Sequence, residues 1–320
     1  MLDDPSSRAY RLMHRAGGLL HAELARHPAV AERWFAVLSL LRHAPPGAYK
    51  QRITNSVAAI DWPALSIKPQ RVRLGTSTHV WLRPHPGEFD FSALLERCLS
   101  YEMAIFEWLE RTLRGYDTVV EIGANVGVFT VFMSEVKRAK ALPKLRIVSF
   151  EPSREAFTRL LDNLAFNSSD SEVYNCAVSD RGGVIEFFEP RGHLTNGSIY
   201  PSFASVFSSD VRRNRVLTIG GAELEEIVPN PGKTLLKIDV EGAEALVLRG
   251  LRPWVTAVRP DVILEVLPGF ESALRDDDYF AALGYRFFRF EDSGPVEVEP
   301  YEPSPSHRDH LLLAPAVAGA

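Results

Sequence analysis

The sequence predicts an α/β protein built on a mostly parallel β-sheet with helices on both faces. After residue 91, short apolar runs typical of buried strands alternate with amphipathic stretches typical of helices. The stretch "VVEIGANVG", Val119 to Gly127, joins an apolar run with one acid to a glycine-containing turn that opens a helix. A second acid, Glu151, ends the next apolar run in "VSFEPS". Both acids therefore lie at or near the ends of adjacent predicted strands.

Composition narrows the class of protein. The chain has 320 residues, 46% of them hydrophobic, and no transmembrane-length apolar run, so we expect at least one sizeable core. A formal charge of -5 without a basic block disfavours nucleic acid as a partner. Cys98 and Cys176 lack metal-type spacing and are too few for a disulfide framework. With no secretory signal visible, these features predict a cytoplasmic protein.

The first 90 residues differ from the rest, so we predict two domains. Helical spacing from Ser7 to Leu41, the break "APPG" and the alternating "RVRLGTSTHVWLRP" predict a helical region followed by a hairpin connector over residues 1–90. Residues 91–320 form the predicted main domain, which opens with helical spacing from Phe91 to Leu113.

Seven apolar runs in the main domain are predicted to be strands. They are Thr118 to Ile122, Arg146 to Phe150, Glu172 to Ala177, Thr234 to Ile238, Val262 to Val266, Tyr285 to Phe290 and His310 to Leu313. Helices are predicted between them, at Ser153 to Asn167 and at Ala243 to Arg249, with Gly250 as a left-handed cap of the second helix.

A long insert, Asp180 to Lys233, separates the third and fourth predicted strands. Its segments "VIEFFE" and "RVLTI" are predicted to be additional strands. Between them the chain is polar, small and turn-rich, so we expect Gly192 to Asp210 to be a lid that orders over a bound acceptor.

The glycine turn predicts a ligand close to the backbone, near a helix start that offers free amide donors. Gly123 and Gly127 form G-x-x-x-G, and Asn125 stands where a pyrophosphate-binding turn needs its second glycine, so a nicotinamide dinucleotide is disfavoured. The Glu151 carboxylate could accept hydrogen bonds from vicinal ribose hydroxyls, which favours an adenosine cofactor without a diphosphate. Alternatively, Glu151 caps the helix that starts at Ser153, and the two roles are compatible.

Five segments together resemble the FkbM family of S-adenosylmethionine-dependent methyltransferases. They are "VVEIGANVGVFT", "VSFEPSREAFTRLLDNLAFN", "VYNCAVSDRGGVIEFFE", "LLKIDVEGAEALVLRGL" and "RPDVILEV". The resemblance covers about Asp117 to Ala314 and implies a class I, Rossmann-like fold, a doubly wound seven-stranded sheet whose last strand is antiparallel. It also implies O-methylation of sugars, glycolipids or glycosylated and polyketide metabolites.

The resemblance implies a role for each motif residue. Glu121, Gly123, Asn125 and Gly127 would surround the methionine part of S-adenosylmethionine, Glu151 would hold the ribose, and Ala177 would lie beside the adenine. The helical first hundred residues lie outside the resemblance.

Methyl transfer to a hydroxyl also needs a group that removes a proton, or a metal such as Mg²⁺ that acidifies the hydroxyl. We predict Asp239, Glu265 and His310 as this catalytic cluster, because each is placed near the same edge of the sheet, and we assign Asp239 to the cofactor site as well. The alternatives are that Asp239 bonds backbone in its turn, that Glu265 pairs with Arg308, and that His310 is a packed strand residue. Glu241 could have a substrate role, although its position at a helix start explains it.

Two other functions are considered. One is a catalytically inactive methyltransferase-like binding module, and the other is an adenosine-cofactor oxidoreductase, which would need the absent diphosphate turn. The predicted partner is a small, carbohydrate-like acceptor. The sequence leaves open the acceptor's identity, any metal dependence and whether the chain forms a homo-oligomer.

Overall fold

A computed structural model describes residues 18–45, 47–58, 60, 62–302, 304 and 306–315. Residues 18–25 form the described part of helix α1, followed by α2 (Pro28–Leu38), a 3-10 turn (Ser39–His43) and α3 (Ala48–Ala58). The predicted helical region is confirmed where it is described, while its residues 7–17 lie outside the described residues. These helices form a small core of their own around Phe35, whose ring centroid lies 5.0 Å from that of Trp62.

The predicted hairpin is confirmed as β1 (Gln70–Leu74) and β2 (Thr78–Leu82). Its alternate residues, such as Val72 and Val80, are fully buried and belong to the core of the main domain. The buried Glu110 fastens the hairpin turn by accepting hydrogen bonds from the backbone N–H groups of residues 76, 77 and 78 at 2.7–3.0 Å. The connector is therefore packed onto the domain that follows it.

The main sheet contains eight strands. They are β3 (Thr118–Ile122), β4 (Arg146–Phe150), β5 (Glu172–Tyr174), β9 (Thr234–Ile238), β10 (Asp261–Glu265), β11 (Arg286–Glu291), β12 (Gly294–Glu297) and β13 (Asp309–Leu313), in the spatial order β12-β11-β13-β10-β9-β3-β4-β5. All seven predicted strands take part, and β12 adds one edge strand to the predicted seven. Strand β13 lies between β10 and β11 and is antiparallel to both, as the resemblance implies.

Helices cover both faces of this sheet. The helices described after α3 are α4 (Ser92–Leu95), α5 (Met103–Thr112), α6 (Val128–Ala139), α7 (Arg154–Asn167), α8 (Pro201–Phe207), α9 (Gly221–Ile227), α10 (Glu244–Val258), α11 (Glu271–Arg275) and α12 (Tyr279–Ala282). Helices α5, α6 and α7 bury apolar side chains on one face, and α9 and α10 do so on the other. None of the helices described is both long and apolar enough to span a membrane.

The predicted end of α10 at Gly250 is wrong. The helix runs through Gly250 and Pro253 to Val258, and Arg259 takes the left-handed conformation with φ 55°. Gly250 has a different purpose, because a Cβ there would lie 2.2 Å from the carbonyl oxygen of Ser179. The glycine lets the helix pass directly over another backbone segment.

A second sheet joins two strands of the long insert, β7 (Gly183–Pro190) and β8 (Val211–Ile219), to β6 (Ala177–Val178), which lies just before the insert, in the order β6-β8-β7. The additional strands predicted at "VIEFFE" and "RVLTI" are thereby confirmed. The predicted strand Glu172 to Ala177 is split, since Ala177 leaves the main sheet and pairs with Thr218 of β8. This departure carries Ala177 to the wall of the cavity described next.

Candidate functional site

A cavity of about 250 Å³ opens at the carboxyl ends of β3, β4 and β9. Parallel sheets bind ligands at this edge where the strand order reverses, and here β3 lies between β4 and β9. Seven predicted site residues line the cavity: Glu121, Gly123, Asn125, Glu151, Ala177, Asp239 and Glu265. The structure thus brings these residues together. It leaves two others, Gly127 and His310, outside the lining.

The glycines of the turn are explained by the protein's own packing. Gly123 has φ +88°, and a Cβ on it would lie 1.7 Å from the carbonyl oxygen of Asp239. The turn and the end of β9 therefore touch at this point. Gly127 has φ +80° at the N-cap of α6, and its Cβ would lie 2.9 Å from Cγ of Leu160. Gly127 thus serves the packing of α6 on α7, and its place beside the cofactor stays a prediction.

Glu151 links the glycine turn to the start of α7. Its carboxylate accepts a hydrogen bond from the Asn125 backbone N–H at 2.8 Å and another from the Ser153 N–H at 2.7 Å. The side-chain cap of α7 is Ser153, whose Oγ accepts from Ala156 N–H at 3.2 Å. Burial raises the pKa of Glu151 to about 7, and its two backbone donors oppose the rise. A carboxylate has about four acceptor positions, so two remain for hydroxyl donors in the cavity.

Lys237 and Glu121 form the buried polar floor of the cavity. Glu121 is only 1% exposed and accepts hydrogen bonds from Thr130 Oγ1 at 2.6 Å and Ser149 Oγ at 2.8 Å, and burial raises its pKa. Lys237 donates to Asp239 Oδ2 at 3.0 Å, and its Nζ lies 4.4 Å from the centroid of the Phe129 ring. Burial lowers the pKa of Lys237, but the nearby carboxylates outweigh burial and raise it overall.

Carboxylates crowd one end of the cavity. Asp239, Glu241 and Glu265 each place an oxygen within 4.8 Å of the others. Burial, followed by repulsion from Asp239, raises the pKa of Glu265 to about 11 and that of Glu241 to about 9. The buried Oε2 of Glu265 accepts no hydrogen bond from the described residues. Arg308 lies at the edge, with its Nη1 4.0 Å from Glu265 Oε1, so the predicted ion pair exists at long range.

Sequence reasoning missed two further acids of this cluster. Burial raises the pKa of Glu102 to about 8 and that of Asp309 to about 7, and repulsion from Asp239 contributes to both shifts. Asp309 opposes Glu265 in the β10–β13 pairing. A signal for Lys237 was available, since a lysine inside the apolar run "TLLKI" needs a buried partner. Glu102 comes from the segment before the first predicted strand and had no comparable signal.

His310 does not belong to this cluster, which corrects the predicted catalytic set. Side chains alternate along a strand, so His310 faces the opposite side of the sheet from Asp309. Its side chain is buried, with Nδ1 2.9 Å from the carbonyl oxygen of Arg308 and Nε2 3.1 Å from that of Glu302. Burial lowers its pKa. The packed-strand alternative therefore describes His310.

The insert covers the cavity from above. Residues 194–197 and Ile199 line it, and Ser198 Oγ donates to the backbone carbonyl of Glu241 at 2.8 Å. The Leu194 N–H donates to the carboxylate of Glu88 at 3.1 Å, and Phe203 packs edge-on against Phe270 with ring centroids 5.9 Å apart. The segment is thus positioned as a cover, and its ordering by an acceptor remains a prediction.

The geometry of the site agrees with a comparison to known families. Residues 121–287, more than half of the chain, match the FkbM methyltransferase domain. The chain belongs to the FkbM methyltransferase family. It is therefore an S-adenosylmethionine-dependent methyltransferase by family, which decides against the oxidoreductase alternative.

Individual relatives of this FkbM family protein are 25–29% identical to it over about half of its length. Methyltransferase sdnD of Sordaria araneosa is 25% identical over 50% of this chain and 73% of its own length. Hexuronic acid methyltransferase AglP of Haloferax volcanii is 27% identical over 51% of this chain and 67% of its own length. The 31-O-demethyl-FK506 methyltransferase FkbM of Streptomyces tacrolimicus is 29% identical over 43% and 61%.

A crystal structure of methyltransferase FkbM from Methylobacillus flagellatus also resembles the chain. The sequence identity is 15% and the TM-score 0.40, over 62% of this chain and 43% of that one. The match spans less than half of that structure.

Proposed function

We propose that this protein transfers the methyl group of S-adenosylmethionine to a hydroxyl of a carbohydrate-like small molecule, a glycolipid or a glycosylated metabolite. The observation that carries this proposal is the carboxylate cluster around Asp239, at one end of the cavity whose other parts suit adenosine and methionine. The name of one relative, a hexuronic acid methyltransferase, supports a sugar acceptor, and that of another, a 31-O-demethyl-FK506 methyltransferase, supports methyl transfer to oxygen.

The cofactor is proposed to lie across the turn that follows β3. Glu151 would accept the ribose hydroxyls, and Ala177 would lie beside the adenine. The sulfonium and ammonium charges of the cofactor would face Glu121 and Asp239. These carboxylates favour a cation, and the buried Oδ1 of Asn125, which has no hydrogen-bond partner among the described residues, offers another acceptor.

Asp239 is proposed to act on the acceptor hydroxyl. Displacement at a methyl carbon is an in-line reaction, so holding the acceptor oxygen about 3 Å from the methyl group supplies much of the rate. The hydroxyl proton must leave as the C–O bond forms and the bond between the methyl carbon and sulfur breaks, with S-adenosylhomocysteine as the leaving group. The carboxylate of Asp239, oriented by Lys237 at 3.0 Å, is the proposed acceptor of that proton.

A divalent cation such as Mg²⁺ is a variant of the same proposal. Asp239, Glu241 and Glu265 would offer oxygen ligands, the type that Mg²⁺ prefers, and the unpartnered Oε2 of Glu265 fits such a role. A bound cation would acidify the acceptor hydroxyl. Activity lost on chelation and restored by Mg²⁺ supports the cation, and activity indifferent to the chelator assigns the step to Asp239 alone.

The test of this function is transfer of radiolabelled methyl groups from S-adenosylmethionine to a panel of glycosides, with the product's methyl position read by NMR. The expected product is a methyl ether on a sugar hydroxyl. A methyl group found on nitrogen or on a carboxylate contradicts the proposed chemistry. A folded protein that binds no S-adenosylhomocysteine supports the alternative of an inactive binding module.

The proposed compartment is the cytoplasm. The two cysteines, Cys98 and Cys176, are both free thiols, and a reducing compartment would keep them so.

A further inference from the structure

A second and larger cleft separates the N-terminal region from the methyltransferase core. Its volume is about 910 Å³, and a neighbouring hollow of about 510 Å³ shares several of its lining residues, among them Trp62, Arg159 and Glu189. The walls come from the connector before and after the β1–β2 hairpin, from the start of α7 and from β8. The cleft meets the cofactor cavity at Pro152, and the hollow meets it at Leu194. The cofactor proposed above does not use this space.

The cleft is positively charged in a protein with a net charge of -5. Two acids, Glu155 and Glu189, face five guanidinium groups in its lining: Arg83, Arg154, Arg159, Arg212 and Arg215. Arg212 reaches Glu155 only at 4.0 Å. Within the described part of the chain, Arg154 and Arg215 have no carboxylate within 4.0 Å. Arg83 is paired with Asp162, and Arg159 lies 2.7 Å from Glu155 and 3.8 Å from Glu88, so the excess positive charge of the cleft comes from Arg154 and Arg215.

Several polar atoms of the cleft are buried without a partner. Arg159 Nη1 and Arg83 Nε lack hydrogen-bond acceptors among the described residues. Glu189 is only 7% exposed; one of its oxygens accepts from Asn214, while the buried Oε1 has no donor. Leaving such groups unsatisfied is unfavourable. A ligand that carries both anionic oxygens and hydroxyl groups would satisfy them together.

The cofactor cavity explains why an anionic group would be held here. At its reactive end, Asp239, Glu241 and Glu265 place oxygens within 4.8 Å of one another, and this crowding helps to raise the pKa of both glutamates, so a further negative charge is unfavourable there. A negatively charged part of an acceptor must therefore lie elsewhere on the protein. The arginine cleft is adjacent to the cavity and carries the opposite charge.

We propose that this cleft binds an anionic saccharide, with its carboxylate or phosphate oxygens on the arginines. Guanidinium groups form strong, bidentate hydrogen bonds to such oxyanions. Sugar hydroxyls donate to the free Oε1 of Glu189, and the half-buried Trp62 offers an apolar ring face to the saccharide. Binding of the saccharide in the cleft is independent of the proposed function. The further statement that this saccharide is the non-reacting portion of the methyl acceptor rests on the proposed function.

The proposal is tested by calorimetric titration with trigalacturonate, glucose 1-phosphate and the neutral trisaccharide maltotriose. The test variant is Arg154→Ala/Arg215→Ala, whose two side chains are exposed and form no ion pair in the described structure. The control, Arg33→Ala/Arg249→Ala, removes the same charge from exposed positions outside both hollows.

We expect at least one anionic probe to bind both the wild type and the control variant. The test variant should bind that probe at least tenfold more weakly. The wild type should bind maltotriose more weakly than the anionic probe. Which anionic probe binds distinguishes a uronic carboxylate from a sugar phosphate. Equal affinities for the test variant and the control, or no binding of either anionic probe, overturn the proposal. S-adenosylhomocysteine affinity and methyl transfer, measured separately, show whether the proposed function has failed instead.

Discussion

Replacing Glu151 tests the cofactor site and separates its two roles. In Glu151→Ala, the cofactor loses a charged acceptor for its ribose hydroxyls, which is typically worth about 1.5–3 kcal/mol. Since about 1.4 kcal/mol corresponds to a factor of ten, S-adenosylhomocysteine should bind about tenfold to a hundredfold more weakly. The same change leaves the N–H groups of Asn125 and Ser153 without their acceptor, so the variant should also be less stable.

The matched variant Glu151→Gln isolates the charge. Its amide oxygen can still accept one of the two backbone hydrogen bonds, so the loss of stability should be smaller than in Glu151→Ala. The raised pKa of about 7 adds a pH signature, because the carboxylate must be ionised to accept both the backbone and the ribose donors. Wild-type affinity should fall as the pH drops through about 7, and Glu151→Gln should flatten this dependence.

The assay is calorimetric titration with S-adenosylhomocysteine from pH 5.5 to 8.5, with thermal unfolding as the control for folding. Wild-type affinity in a folded Glu151→Ala protein refutes the ribose assignment. A weakened affinity that is fully explained by partial unfolding assigns Glu151 to the turn alone.

Three further predictions address stability and motion. Burial, followed by repulsion from Asp239, raises the pKa values of Glu241 and Glu265, so these acids bind protons more tightly in the folded state. Their contribution to stability is complete below their ordinary pKa and is lost as the pH rises through about 9 to 11. Calorimetry should show the melting temperature of the ligand-free protein falling at alkaline pH, and Glu265→Gln should reduce the slope; an unchanged slope contradicts the shift. Gly250→Ala should destabilise the protein by about 1–3 kcal/mol in urea unfolding, because its Cβ would lie 2.2 Å from a carbonyl oxygen. The control is Gly115→Ala, whose Cβ would have no neighbouring atom within 4 Å, and equal stabilities of the two variants would refute the close contact. Hydrogen exchange in residues 192–210 should slow when cofactor and acceptor bind together, and equally fast exchange with and without them argues against a lid.

The strands that carry the site could be predicted from local sequence. β3, β4 and β9 have the predicted bounds, because each is an apolar run with a clear turn or polar boundary at its ends. Their terminal acids, Glu151 and Asp239, consequently lie where expected. Short edge strand β12, in the polar stretch "GPVE", offers no apolar run and was missed.

The wrong sequence predictions concern residues whose role is set by tertiary contacts and not by local sequence. Gly250 looks like a helix cap in sequence, but it is required by the backbone of residues 179 and 180 crossing α10. His310 and Asp309 are adjacent in sequence and face opposite sides of the sheet, so an error of one residue exchanges a packed histidine for a cluster acid. Glu102 joins the site from a distant segment, which no local pattern indicates.

The measurement that tests the central claim most directly is the activity of Asp239→Asn beside its affinity for S-adenosylhomocysteine. Because the substitution keeps the size of the side chain and removes its charge, turnover at saturating S-adenosylmethionine should fall by about 10²–10⁴-fold, whereas S-adenosylhomocysteine, which has no sulfonium charge, should still bind. Turnover close to that of the wild type, in a variant that binds the cofactor normally, would contradict the assignment of Asp239 to the methyl-transfer step.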